Sequence, residues 1–157
     1  MSVEGGLNHD FLDLLEAFSG ANVEFIVVGA HALAAHGIVR ATGDLDVWVR
    51  PTPENAARVV SALRAFGAPL SQHGVTEADF ARPGTVYQMG LPPRRIDVLT
   101  QISGVDFADA WRERSLVTLR GAPVSFLGRA SLLMNKRAAA RPKDLLDVEL
   151  LERQRKG

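Results

Sequence analysis

Apolar residues recur at helical spacing over residues 10–20, where Phe11, Leu12, Leu14, Leu15 and Phe18 predict an amphipathic helix capped by Asn8 or Asp10. The period then changes. Val23–Val28 is a short apolar run ending at Gly29, which predicts a strand, and Ala30–Ala35 reads as a short helix stopped at Gly37. In Gly43-Asp44-Leu45-Asp46-Val47-Trp48-Val49 the alternation predicts a second strand, with Leu45, Val47 and Val49 entering the core and Asp44 and Asp46 sharing the other face. Thr52-Pro53-Glu54 gives an N-cap, an N1 proline and a first-turn acid. The helix it opens buries Ala56, Val59, Val60, Leu63 and Phe66 and stops at Gly67.

Residues 68–83 carry no clear period and predict a loop with one helical turn. Thr85–Met89 and Arg94–Thr100 read as a strand pair joined across Gly90-Leu91-Pro92-Pro93, followed by a short helix over Phe107–Arg112. Leu116–Leu119 and Val124–Leu127 flank a hairpin turn, and two helices, about 129–138 and 142–154, close the chain. Two early strands separated by helical crossovers, then antiparallel pairs, predict an α/β (α+β) class: a mixed sheet packed with helices, in a single domain over residues 1–157.

Composition narrows the function classes. Of 157 residues, 46% are hydrophobic and 23% charged, an ordinary globular balance. There is no cysteine, which excludes disulfides, zinc–thiolate sites and thiol catalysis. No apolar run approaches the roughly 20 residues that span a bilayer, and Met1–Gly6 lacks the basic-then-apolar order of a secretion signal, so a cytoplasmic protein without membrane contact is expected. Net charge is zero, yet no Lys or Arg precedes Arg40, while eight basic and four acidic residues follow from Arg129 onward. That gradient would steer an anionic ligand toward the C-terminal region, or would simply form a solvated face at Arg153, Arg155 and Lys156.

The Asp44/Asp46 pair carries the chemistry. Two like charges about 5–7 Å apart repel by roughly 2–3 kcal/mol at an effective dielectric near 20, so something positive should hold them. A third acid, Asp97, interrupts the β-branched run Ile96-Asp97-Val98-Leu99, where propensity disfavours it. If the two strands are neighbours, Asp44, Asp46 and Asp97 share one exposed face as an oxygen set suited to Mg²⁺ or Mn²⁺. The alternative is structural pairing of these acids by Arg40, Arg94 and Arg95. Gly29-Ala30-His31, a strand–glycine–helix turn, offers backbone N–H groups to an anion or merely makes a tight turn. His31 and His36 are five apart, off a common helical face, so they and His73 are expected in turn or packing roles rather than as ligands.

Val27-Val28-Gly29-Ala30 through Gly43-Asp44-Leu45-Asp46-Val47, with Ile96-Asp97-Val98-Leu99 and Asn135-Lys136 through Asp144-Leu145-Leu146-Asp147, resembles the DNA polymerase β-like nucleotidyltransferase superfamily. Within it the chain is most similar to small bacterial proteins related to the toxin half of abortive-infection (AbiE-type) toxin–antitoxin pairs. The resemblance implies a nucleotidyltransferase fold that binds an NTP and Mg²⁺ and transfers a nucleoside monophosphate to an acceptor. The acceptor would be tRNA, a protein or a small hydroxylated molecule, and a cognate antitoxin or a second copy would be a partner. By motif match Asp44, Asp46 and Asp97 are the metal ligands, with Asp97 also a base for the acceptor hydroxyl. Gly29 and Ala30 line the phosphates, and Lys136 is a phosphate contact or a solvated helix lysine. Lys143, Asp144 and Asp147 belong to the site or form a Lys–Asp pair along the last helix. Ala30 departs from the usual Gly-Gly or Gly-Ser. It keeps its backbone N–H but lacks a hydroxyl, which motivates an alternative: a weak or inactive domain of this fold that binds nucleotide or protein.

Overall fold

The structure is a computed structural model in which residues 7–40 and 43–156 are described, with side chains through residue 154. Residues 1–6, 41, 42 and 157 lie outside this range, among them Ala41 and Thr42 of the early motif; the side chains of the basic tail residues Arg155 and Lys156 lie outside it too.

Helix α1 (His9–Gly20) starts at Asn8, whose side chain accepts from the Phe11 N–H at 2.9 Å, so the cap is Asn8 rather than Asp10. Strand β1 (Phe25–Val28), helix α2 (Gly29–Ala35) and strand β2 (Leu45–Val49) follow the sequence pattern closely. Their directions do not follow the expected crossover: β1 and β2 are antiparallel neighbours. A seven-residue helix is only about 10 Å long, so α2 returns the chain to the end of the sheet it left.

Helix α3 (Pro53–Phe66) begins at Thr52 and ends at Gly67, which takes the left-handed conformation at φ 101°. It buries Ala56, Val59, Val60 and Leu63 as expected, but Phe66 is only half-buried, and Asn55 and Ala62 are buried instead. Asn55 earns its burial with three bonds. Its Oδ1 accepts from the Glu24 N–H at 2.8 Å, and its Nδ2 donates to the Glu24 and Arg50 carbonyls at 3.0 Å each. The start of α3 is thereby pinned to the outer ends of β1 and β2.

The irregular stretch holds two single-turn helices, α4 (Leu70–His73) and α5 (Glu77–Phe80), the second opened by a Thr76/Asp79 capping box. Strands β3 (Val86–Met89) and β4 (Ile96–Leu99) are antiparallel; helix α6 (Phe107–Glu113) and the hairpin β5 (Ser115–Leu119) and β6 (Ala122–Phe126) come next. Helices α7 (Arg129–Ala139) and α8 (Pro142–Lys156) meet at a corner where Ala140 is left-handed at φ 54°.

The six strands form one sheet in the order β3-β4-β2-β1-β6-β5, with β2–β4 and β1–β6 parallel and the other pairs antiparallel. All four β1 residues are buried, so helices cover both faces at the centre. On β2, Leu45, Val47 and Val49 are fully buried, and Trp48, on the Asp46 side, is closed over by Phe107 with ring centroids 5.0 Å apart. The acidic face of β2 is open only at its first residues. Among the described residues no helix is long and apolar enough to cross a membrane.

Candidate active site

The parallel pairing of β2 and β4 sets Asp46 directly opposite Asp97. Asp44 stands one residue before β2, and its Oδ1 accepts from the Arg95 backbone N–H at 3.0 Å, which extends the ladder by a side chain. The three acids named from the sequence therefore come together. They do not share an exposed face: Asp97 is only 7% exposed, and the group lines the floor of a cavity of about 660 Å³.

Gly29 forms the rim. It is left-handed at φ 69°, and a Cβ on it would lie 2.4 Å from Asp46 Oδ2, so only glycine lets the turn approach the carboxylate. Ala30 also lines the cavity, and Val28, the N-cap of α2, gives no side-chain bond to the first N–H groups of that helix.

Electrostatics at Asp46 register the crowding. Burial, then the charge and hydrogen bond of Asp97, then the charge of Asp44 push its carboxyl up to about 7, against the opposing pull of Arg95. The Arg95 guanidinium bridges the other two acids. Nε donates to Asp97 Oδ1 at 2.8 Å and Nη2 to Asp97 Oδ2 at 3.2 Å, while Nη2 lies 3.2 Å from Asp44 Oδ2. Of the three arginines considered as structural partners, Arg95 does pair these acids; Arg40 pairs with Asp147 instead, and Arg94 is exposed.

The opposite wall comes from α7 and α8. Lys136 Nζ lies 3.3 Å from Asp144 Oδ1 and 3.1 Å from Asp147 Oδ2, so Lys136 is a buried, paired cation rather than a solvated lysine. Asp144 is fully buried and also accepts from Arg141 Nε at 2.6 Å. Burial pushes its carboxyl up, but the hydrogen bonds and charges of Arg141 and Lys136 outweigh this and hold it below the usual carboxylate range. Of the two alternatives for Lys143, the Lys–Asp pair along α8 does not form among the described residues, and Asp147 pairs with Arg40 and Lys136 from other elements. Lys143 lines the cavity and has no carboxylate partner among the described residues.

The histidines take packing roles. His31 Nε2 lies 3.2 Å from the Gly43 carbonyl, its ring meets Phe11 edge-on, and burial lowers its pKa. His36 Nε2 bonds the Leu127 carbonyl at 2.8 Å, and His73 Nδ1 bonds Tyr87 Oη at 2.8 Å. Arg95 and Arg141 were not singled out as site residues in the sequence. The signal for Arg95 was its position two before Asp97, on the same side of an extended chain.

Comparison with protein-family models and with curated protein sequences gives no match. Comparison with solved structures gives the crystal structure of a putative nucleotidyltransferase from Thermotoga maritima, with a TM-score of 0.55. The likeness covers 91% of this chain and 86% of that one at 16% identity. The fold is nucleotidyltransferase-like. At that identity the likeness speaks to architecture, and the site residues must be argued from their own geometry.

A hard divalent cation suits this donor set chemically. Three carboxylates stand together here, and the Asp46 carboxyl is raised first by burial and then by the Asp97 and Asp44 charges, which Arg95 offsets only in part. The arrangement is closed, however: among the described residues no three acidic or histidine side chains stand grouped as metal ligands. A cation would need Arg95 to yield.

Proposed function

We propose that the chain is a metal-dependent nucleotidyltransferase that transfers a nucleoside monophosphate from an NTP to an acceptor hydroxyl. The observation that carries this reading is the register of Asp46 against Asp97 beneath a glycine whose missing Cβ leaves room for Asp46. Asp44, Asp46 and Asp97 would hold Mg²⁺ or Mn²⁺, which when bound supplies charge neutralisation at the triphosphate. The Gly29–Ala30 N–H groups and Lys143 bind phosphate oxygens, and Lys136 adds positive charge from the wall while holding Asp144 and Asp147 in place. The acceptor oxygen attacks the α-phosphorus, the bond to the β-phosphate oxygen breaks, and pyrophosphate departs. The hydroxyl proton passes to an Asp97 carboxylate oxygen.

The acceptor class is tRNA, a protein or a small hydroxylated molecule, and the motif resemblance supports a toxin role beside a cognate antitoxin. Incubation with α-labelled NTPs, Mg²⁺ and cell extract should label an acceptor, and a folded Asp44→Asn variant should not. Labelling retained in that variant would overturn the assignment.

A second reading is favoured by one observation: the Arg95 guanidinium pairs with both Asp44 and Asp97. On that reading the domain binds nucleotide or a partner and does not turn over. Calorimetry that finds NTP binding, together with no transfer in the labelling assay, would select it.

A further inference from the structure

Arg95 is poised differently from every other cation of the cavity. It lies immediately before β4 and two residues before Asp97, so both side chains leave the extended chain on one side. One residue thereby engages all four carboxylate oxygens of two acids. The guanidinium takes Asp97 Oδ1 and Oδ2 and Asp44 Oδ2, and the backbone N–H takes Asp44 Oδ1. These are the oxygens a hard cation would use.

The two kinds of contact differ in what they permit. The backbone bond to Asp44 belongs to the sheet and stays whatever the side chain does. The Arg95 side chain is 29% exposed and lines the cavity, so its guanidinium has open space beside the carboxylates. Arg141, by contrast, is hydrogen-bonded to the fully buried Asp144 and reaches the sheet acids only through its charge on Asp46.

We propose that Arg95 is an internal counter-ion that holds Asp44 and Asp97 in place and competes with a divalent cation for them. This rests on the metal-dependent reading. Cation entry releases the guanidinium to the cavity wall, where its planar fork suits phosphate oxygens as well as it suited carboxylates. Arg95 is a positioning residue under this assignment: it sets the affinity and order of loading rather than the bond-making step.

The test is a Mn²⁺ titration without nucleotide, reading free ion by electron paramagnetic resonance, on the wild type, Arg95→Met, Arg95→Lys and Asp97→Asn. Removing a unit charge about 5 Å from a divalent ion should tighten binding about tenfold or more in Arg95→Met even at water-like screening. Arg95→Lys, which keeps the charge but loses the fork, should fall between. Asp97→Asn should bind weakest. Equal or weaker binding by Arg95→Met overturns the inference. If the wild type then still binds Mn²⁺ in a way that Asp97→Asn abolishes, the metal-dependent reading stands without it; if no form binds, both fall. Should Arg95→Met fail to fold, the ¹⁵N-arginine spectrum of the wild type decides. The Arg95 Nε–Hε resonance, assigned by its loss in Arg95→Lys, should move toward the free-guanidinium position as Mg²⁺ is added. A resonance that stays fixed under saturating Mg²⁺ overturns the inference.

Discussion

Asp46→Asn should stabilise the protein at neutral and alkaline pH, although Asp46 is half-buried in the centre of the site. The reason is the pKa of about 7 imposed by burial and by the neighbouring Asp97 and Asp44 charges, against 3.8 for an ordinary Asp. Below pH 3.8 the carboxyl is protonated in both the native and unfolded states and contributes no pH dependence. Between there and pH 7 the native state keeps a proton that the unfolded chain has released, so stability falls as pH rises. Above pH 7 the native carboxylate is charged and the loss is complete. A shift of that size corresponds to about 2–4 kcal/mol, the lower figure allowing for relaxation around a coupled pair. Asn has nearly the same shape, keeps a donor for Asp97, and carries no charge. Urea denaturation of both proteins at pH 4, 6 and 8 reads the effect, since groups distant from Asp46 titrate equally in each. The variant should match the wild type near pH 4 and exceed it by about 2–4 kcal/mol at pH 8, a rise of roughly 5–15 °C in Tm for a chain of this size. Mg²⁺ should narrow the gap at pH 8 by supplying what the wild type lacks. A difference that does not change with pH, or a less stable variant at pH 8, would refute the electrostatic account of the pair.

Further outcomes follow from contacts at the same cavity and beneath it. Gly29→Ala should cost about 2–3 kcal/mol by thermal or urea denaturation, since it adds left-handed strain and places Cβ 2.4 Å from Asp46 Oδ2. Gly43→Ala, whose Cβ would meet only Ala30 at 3.7 Å, should be nearly neutral in the same assay. Lys136→Met should destabilise by about 1–3 kcal/mol, because it removes one of the two cations held by each of the buried Asp144 and Asp147 carboxylates and leaves Arg141 and Arg40 as their partners. Lys143→Met should leave urea stability unchanged and weaken NTP binding about tenfold by calorimetry, since its charge has no carboxylate partner among the described residues to share it. Asn55→Ala should lose about 2–3 kcal/mol in urea, with three bonds to the β1 and β2 ends broken and the Glu24 N–H left short of its acceptor.

What could be read from the sequence depended on whether the information was local. The period-two alternation around Asp44 and Asp46 and the Thr52-Pro53-Glu54 start were local, and both elements formed within a residue of their expected limits. Strand direction was not local. Whether β1 and β2 run parallel depends on which end of the sheet α2 returns to, and helical propensity says nothing about that. The burial of Asn55 was hidden for the same reason, since its partners at Glu24 and Arg50 belong to other elements.

Charges show the limit most clearly. The three acids could be picked out because each breaks an apolar strand pattern at a cost, and a costly residue needs a reason. Their partners could not be ranked, because exposed-looking cations carry no such signal: Arg40, Arg94, Arg95, Lys136, Arg141 and Lys143 read alike in the chain. In the fold they separate into one that bridges the sheet acids, three committed to Asp144 and Asp147, one exposed and one without a carboxylate partner among the described residues. Carboxylates mark where a cation is needed, and the fold decides which cation arrives. At Asp44 and Asp97 the cation that arrives is Arg95, whose guanidinium reaches both carboxylates from one strand end.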